Sequence, residues 1–508
     1  MEYILPALQI VCTPHGLAVI FLGALFGILC GAMPGLSSIM AMTILMPFTF
    51  SLDGLYGILM LLGVFCGSVY GGSITAILIN TPGTANAAAT CLDGYPMAQK
   101  GQPDRAISIS TSASCFGGLF GSFCLLFTAP LLASVSIKFG VTEYFALGIF
   151  GLSIVTGVSS KSVIKGVLGA ILGLLLGTVG IDTLSATFRY TFDITYLVAG
   201  VAFVPLLIGL YALAQCFTTS EGDLDEMTRG RNVKLKQILP SRHDIKRCTP
   251  VVLGCSVLGT IIGAIPGTGG DIASWVGYNE AKRWVKKNEV PFGEGTPEGI
   301  AAPESANNAI VGGALIPLLT LGIPGDAGTA LLLGALMLQG ITPGPLLFTN
   351  QGEKVYTIIV GLFMANIAFA ILGFCGIRIF AKIGNLPQKW LTPLIFTFCT
   401  VGTFALNNNF GDVIFMLIAG ILGYFLLKLD FSMPPIILGL LLGETVESNL
   451  RRAMTLSGGD LGYFLTRPIA MVLLVISAIS LFYPIIVPAI SRHNAKRAAQ
   501  KQNAQADR

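Results

Sequence analysis

Charge is scarce in this sequence. Lys, Arg, Asp and Glu make up 11% of its 508 residues, against roughly 25% in soluble globular chains. No Lys or Arg occurs before Lys100, and hydrophobic residues reach 53%. That charge cannot cover a soluble surface of this size, which excludes a soluble enzyme, a nucleic-acid binder and a disordered scaffold. Histidine is nearly missing: His15, His243 and His493 stand near a terminus or in a polar loop. An intramembrane metalloprotease therefore lacks its ligands, and a Ser–His dyad lacks its base. The motif G-x-x-x-x-G-K-[ST] is absent, so ATP does not drive the chain through a P-loop. The eleven cysteines are scattered, mostly within apolar runs, and no C-x-x-C pair occurs. They read as small buried hydrophobes. The N-terminus has no basic n-region and is expected to be retained.

What is present is a succession of apolar runs near the roughly 20 residues that a spanning helix needs. The expected fold is an all-α polytopic membrane protein. A basic stretch, 220–247, carries Arg229, Arg231, Lys234, Lys236, Arg242, Lys246 and Arg247. Such a loop belongs in the cytoplasm. It divides the chain into a first membrane repeat, 1–219, and a second, 248–491, followed by a cytoplasmic tail, 492–508.

The two halves share motifs in the same order. Gly31-Ala32-Met33-Pro34-Gly35 matches Gly263-Ala264-Ile265-Pro266-Gly267. Gly71-Gly72 followed by Pro82-Gly83 matches Gly312-Gly313 followed by Pro324-Gly325, and the run from Pro205 to Leu210 matches that from Pro435 to Leu440. Three ordered matches at a nearly constant offset read as a duplication. Charge decides its sense. The segment 251–285 has Arg247 before it and Lys282, Arg283, Lys286 and Lys287 at its end, with Pro266-Gly267 near its middle. It reads as a re-entrant hairpin with both ends inside. Its counterpart, about 16–50, has no basic flank and is placed with both ends outside. Crossings over 55–98, 107–132, 144–158, 163–181 and 196–217 make an odd number and end at the basic loop. The expected architecture is an inverted-topology repeat, each half holding a re-entrant hairpin and a broken helix. In the second half the crossings run over 299–340, 355–377, 391–406, 413–427, 435–447 and 469–490. They leave Arg451 and Arg452 outside against the positive-inside rule, which points to acidic groups of a partner there.

Four Pro-Gly breaks interrupt apolar segments: Pro34-Gly35, Pro82-Gly83, Pro266-Gly267 and Pro324-Gly325. Each frees helix-end N–H and C=O groups at membrane depth, which must be covered by protein or line a cavity. Discontinuous helices can turn positive N-terminal ends toward an anion and free carbonyls toward Na⁺. Small or polar residues follow the breaks: Ser37 and Ser38, Thr84 and Asn86, Thr268, Gly269 and Asp271, and Asp326 with Thr329. The plainer reading makes them helix caps. Asn80, Asn307 and Asn308 add amides suited to carboxylate and cation coordination, and equally to helix–helix hydrogen bonds. Glu304 stands beside them as either an interface or a functional acid. Glu444 and Glu447 lie in an apolar span, as functional acids or as salt-bridge partners of Arg451 or Arg452.

Together the motifs Gly-Ala-Met-Pro-Gly-Leu-Ser-Ser (31–38), Tyr-Gly-Gly-Ser-Ile-Thr-Ala-Ile-Leu-Ile-Asn-Thr-Pro-Gly (70–83), Leu-Asp-Gly-Tyr-Pro-Met-Ala (92–98), Ala-Ala-Pro-Glu-Ser-Ala-Asn-Asn-Ala (301–309), Leu-Gly-Ile-Pro-Gly (321–325) and Ile-Thr-Pro-Gly-Pro (341–345) resemble the large permease subunit of tripartite tricarboxylate transporters. The resemblance covers about residues 15–490. It implies secondary, ion-coupled carboxylate uptake across a bacterial inner membrane, no enzymatic activity, and two partners: a small membrane subunit and a periplasmic substrate-binding protein. The expected substrate site comprises Pro34, Gly35, Ser37, Ser38, Asn80, Pro82, Gly83, Thr84, Pro266, Gly267, Thr268, Gly269, Asn307, Asn308, Pro324 and Gly325. The expected coupling cation is Na⁺, held by Asp271, Asp326 and Thr329, with no other cofactor and no structural metal. Asp271 stands where the family usually has an uncharged residue, and Ser73 where some citrate-type members carry Arg. Without that Arg the substrate is equally a dicarboxylate or an aromatic acid. A stand-alone organic-anion antiporter or exporter and a passive channel are the other readings, and paired broken helices favour alternating access over an open pore.

Overall fold

The computed structural model of the chain describes residues 3–33, 36–136, 139–159, 162–182, 184–221, 239–285, 289–344, 346–383 and 388–481. Most of the basic stretch 220–247 and the tail 492–508 lie outside these residues, as do Pro34 and Gly35. The helices of the first half are α1 (Ile4–Val11), α2 (Pro14–Gly31), α3 (Ser38–Thr49), α4 (Gly54–Ile79), α5 (Cys91–Gln99), α6 (Pro103–Ser136), α7 (Val141–Ser159), α8 (Val163–Gly177), α9 (Thr195–Val198), α10 (Phe203–Leu207) and α11 (Ala214–Ser220). A π-helical turn, Ile208–Leu213, joins α10 to α11 without interruption. The second half continues with α12 (Arg242–Ala264), α13 (Gly269–Trp284), α14 (Pro297–Leu321), α15 (Ala327–Leu338), α16 (Leu347–Asn350), α17 (Gly352–Ile383), α18 (Gln388–Asn407), α19 (Phe410–Lys428), α20 (Met433–Leu456) and α21 (Tyr463–Thr466). Among the described residues one antiparallel pair occurs, β1 (Gly180–Ile181) with β2 (Phe188–Arg189). Among the described residues seven helices are long and apolar enough to cross a membrane, so the chain is an all-α, multi-pass membrane protein.

Local chemistry sets the element ends. Thr13 accepts a hydrogen bond from the Gly16 N–H and Pro14 opens α2, a cap and a preset φ at the two positions that favour them. Ser37 caps α3 through the Met40 N–H, and Ser241 caps α12 through the Asp244 N–H. The stretch 55–98, expected as one crossing, is a helix, a break and a second helix. Asn80 stops α4 in the left-handed conformation (φ 56°), and Pro82 then denies the backbone a donor. The stretch 299–340 behaves alike: Gly322 stops α14 at φ 73°, and Pro324-Gly325 precedes α15. Asn80 and Gly322 each stand two residues before a Pro-Gly, so matching motifs of the two halves carry the same left-handed stop. The last expected crossing, 469–490, is helical over Pro468–Leu481; its remainder lies outside the described residues.

The chain forms two compact units, each drawn from both halves. One comprises Met1–Lys138 with Ala202–Phe425, the other Phe139–Val201 with Leu426–Arg508. In the first unit α2 runs along α4, and α12 runs along α14. Both pairs close on glycine. Gly27 and Gly31 of α2 lie against Val64 and Ser68 of α4, and Gly259 and Gly263 of α12 lie against Ala306 and Ile310 of α14. The third motif shared by the halves also packs reciprocally. Gly209 of the Pro205 motif sits on Met416 and Ala419 of α19, whereas Gly439 of the Pro435 motif sits on Ala170 and Gly173 of α8. Each motif helix thus packs on a glycine-bearing helix from the opposite half.

The second unit ties β1–β2 to α20. Arg451 reaches Asp182 at 2.9 Å and Glu447 at 3.3 Å, while Arg189 reaches Glu447 at 2.6 Å. The acidic partner expected outside the chain for Arg451 is therefore within it. Glu447 takes the salt-bridge role, and Glu444 is exposed. The Ser185 hydroxyl and then the Arg451 guanidinium hold the Asp182 carboxyl well below the usual carboxylate range.

Candidate functional site

The breaks at Pro82-Gly83, Pro266-Gly267 and Pro324-Gly325 lie within the first unit. Gly267 donates its N–H to the Gly325 carbonyl at 2.7 Å, so the tip between α12 and α13 is tied to the break between α14 and α15. Gly267 adopts φ 85°, a conformation natural to glycine. Gly325 packs so closely that a Cβ there would stand 2.6 Å from the Gly263 carbonyl oxygen. In the first half Gly83 donates to the Gly72 carbonyl at 3.1 Å and lies against the Gly31 carbonyl. The same glycine-on-carbonyl packing thus occurs at duplicated positions. Pro266 and Pro324 are buried, whereas Pro82 is partly exposed.

Several expected site residues are occupied by helix termination. The Ser37 hydroxyl caps α3, and Asn80 is the left-handed stop of α4. The Thr268 hydroxyl donates to the Ile262 and Ile265 carbonyls at 2.6 and 2.9 Å, satisfying the freed end of α12. Asp326 and Thr329 form a reciprocal capping box at the start of α15, with each backbone N–H bonded to the other side chain at 2.7–2.9 Å. Asp271 is exposed in the first turn of α13, and it lies near enough to Asp326 for the two acids to act on one another.

Others hold unused hydrogen-bonding capacity. The Ser38 Oγ, Thr84 Oγ1, Asn308 Oδ1 and both polar atoms of the Asn307 amide are buried without a hydrogen-bond partner among the described residues. Asn307 is 0% exposed and Asn308 1%. An unpaired polar group in such a place costs about 1–3 kcal/mol, so five such atoms, two just after breaks and three midway along α14, are a poor way to build a core. Asn86, just after the first-half break, converges on Asn307. A Cβ at Gly270 would lie 2.5 Å from the Asn86 Nδ2 and 2.7 Å from the Asn307 Oδ1. Gly270 at the second tip therefore brings the post-break segment of one half against the long helix of the other. In addition α3, which starts at Ser38, packs on α15, which starts beyond Asp326.

The helix starts differ in charge. α3 has no acid in its first turn, while α13 has Asp271 and α15 has the Asp326 cap. The positive end of α3 is uncompensated, and the ends of α13 and α15 each face a carboxylate. Ser73, at the position of the citrate-type Arg, is fully buried and donates to the Tyr70 carbonyl at 2.6 Å.

Sequence reasoning missed Tyr211. Its hydroxyl is buried without a hydrogen-bond partner among the described residues, it lies on the π-helical turn, and it stands near Asp326. Its signal was one phenol within the apolar run 204–214; the π turn, a frequent mark of functional sites, has no sequence signature.

The chain matches the sequence model of the Tripartite tricarboxylate transporter TctA family over residues 17–438. It is 39% identical over 467 residues to an Agrobacterium vitis protein described as an uncharacterized 52.8 kDa protein in the TAR-I ttuC′ 3′ region, covering 91% of this chain and 92% of that one. A second Agrobacterium vitis protein, described as uncharacterized and in the TAR-II ttuC′ 3′ region, is 43% identical over 216 residues, covering 42% of this chain and 89% of its own length. No solved structure matches the chain.

Proposed function

The chain belongs to the tripartite tricarboxylate transporter TctA family and is a membrane component of such a transport system, and on that premise we propose that it performs secondary, cation-coupled carboxylate uptake across a bacterial inner membrane. A periplasmic binding protein delivers the substrate, and a small membrane subunit completes the assembly. The observation that carries this reading is the set of buried polar atoms without a partner among the described residues: Ser38 and Thr84 just after helix breaks, and Asn307 and Asn308 on α14, with Asn307 facing Gly270 at the second tip. A carboxylate accepts from the Asn307 amide and the hydroxyls and rests on the uncompensated N-terminal end of α3. The coupling cation, Na⁺, lies by Asp271 and Asp326, whose mutual repulsion a cation relieves. Pairing the two charges at neighbouring tips makes occupancy by one favour occupancy by the other. Two motifs packing reciprocally on opposite halves support an inverted repeat and alternating access about the tips.

The test is uptake of labelled di- and tricarboxylates into vesicles holding the membrane subunits, with and without the binding protein and a Na⁺ gradient. Uptake that needs both is expected. Uptake without the binding protein would support a stand-alone antiporter, and gradient-independent equilibration would support a channel.

A further inference from the structure

Glu304 lies on α14, one helical turn before Asn307 and Asn308, and is 0% exposed. Its surroundings are hydroxyls. Thr90 donates to one carboxyl oxygen at 2.5 Å and Ser114 to the other at 2.8 Å. Ser73 and Ser110, bonded to each other at 2.9 Å, complete the ring. Among the described residues the donors to its carboxyl oxygens are hydroxyls, with no Lys, Arg or His bonded to it.

We propose that Glu304 is a proton-binding site of the transport cycle, loaded from water on one side of the membrane and emptied to the other as the carboxylate crosses. An isolated carboxylate in an apolar interior is costly, and neutralisation by a proton removes that cost. A structural anchor could use a Lys or Arg partner, whose donors suit only the charged form. Hydroxyls both donate and accept, so the ring satisfies the group with the proton and without it. That is the chemistry of a group that changes charge in place.

Its position links it to the transport site. Thr90 ends the segment that starts at Thr84 and Asn86, and the Asn308 amide donates to the Glu304 carbonyl at 2.9 Å. Glu304 therefore bridges the post-break segment of one half and the long helix of the other. A change in its charge acts directly on Thr90, at the end of that post-break segment.

Among the described residues no charged group hydrogen-bonds the Glu304 carboxyl. α13, which packs on α14, carries Asp271, Glu280, Lys282 and Arg283, the last paired with Glu280. α4 presents Tyr70, whose hydroxyl bonds Thr111 at 2.7 Å, and α5 presents Cys91 and Asp93. The Asp93 carboxylate is taken up by Tyr278 of α13 and by the N–H groups of Gly293, Gly295 and Thr296. Cys248 of α12 packs with Ile300 and Ala301 of α14, and Cys255 donates to the Gly277 carbonyl of α13. Arg105 of α6 and Arg247 of α12 are paired with Asp244 and with Glu298 and Glu289. Past its Asp326 cap, α15 holds no ionisable side chain.

The proposal rests on ion-coupled uptake, and its first test does not require transport. In the purified protein, infrared difference spectra across pH 5 to 8 should show the carbonyl band of a protonated carboxyl, absent in Glu304→Gln. Ser114→Ala, which removes one donor to the charged form, should strengthen proton binding about tenfold. If Glu304→Gln does not fold, this shift decides. No carboxyl band difference, a band that follows Na⁺ rather than pH, or an unmoved midpoint in Ser114→Ala would overturn the proposal while leaving cation-coupled uptake standing. In vesicles holding the tripartite system, citrate or tartrate added with the binding protein should evoke proton entry in wild type and none in Glu304→Gln. Equal proton entry in both would also overturn it.

Discussion

Gly270→Ala separates a site from a packing defect. Gly270 is the second residue of α13 and has an ordinary helical conformation, so alanine suits the backbone and improves helix propensity by about 1 kcal/mol. The added methyl would stand 2.5 Å from the Asn86 Nδ2 and 2.7 Å from the Asn307 Oδ1. Both amides must move, at an overpacking cost of about 1–3 kcal/mol. These terms oppose each other, and the variant should melt within about 2 kcal/mol of wild type. The ligand-facing effect has no such compensation. Displacing each amide loses about one hydrogen bond to the substrate, about 1–1.5 kcal/mol apiece. Together they raise the half-saturating substrate concentration roughly 30- to 140-fold. Vesicle uptake at varied binding-protein-delivered substrate, with thermal melting of the purified protein, measures the two quantities separately. Wild-type uptake by a well-folded Gly270→Ala would remove Asn86 and Asn307 from the substrate site.

Three further outcomes are expected. Single cysteines replacing Ser51 and Lys282 in a cysteine-free background should label from opposite faces of the membrane with an impermeant reagent; same-side labelling would end the inverted-repeat reading. Asp271→Asn keeps a polar first turn but removes the charge beside Asp326, so half-saturation should move to higher Na⁺ while the binding protein's affinity for substrate is unchanged; an unmoved Na⁺ dependence would leave Asp271 as a helix-start acid alone. Asp182 has a folded value below its ordinary one near 3.9, so its contribution is full above about pH 4 and declines as pH falls through the folded value. Asp182→Asn should therefore melt lower than wild type at neutral pH, with the gap narrowing only in strong acid; a gap that closes between pH 8 and 5 would contradict the Asp182–Arg451 pairing.

Much of this protein is determined by sequence acting locally. Scarce charge and long apolar runs leave no solvent but a bilayer for most side chains. The stops at Asn80 and Gly322 follow from residues that tolerate a left-handed backbone, and the breaks after them follow from proline's missing N–H. The motifs that carry the family resemblance are contiguous, so one reading of the chain finds them. What required the tertiary structure is whatever depends on residues far apart in sequence. That Ser37, Asp326 and Thr329 cap helix starts became legible only once their hydrogen bonds were placed. Arg451 violated a charge rule until Asp182, from the other half, stood 2.9 Å away. The meeting of Asn86, Gly270 and Asn307, and the hydroxyl ring that Thr90 and Ser114 close around Glu304, join segments that no periodicity relates. Backbone preferences act over a few neighbouring residues and are legible along the chain. Which polar groups end up satisfied, and which are left facing one another, is decided only when helices distant in sequence pack glycine to backbone.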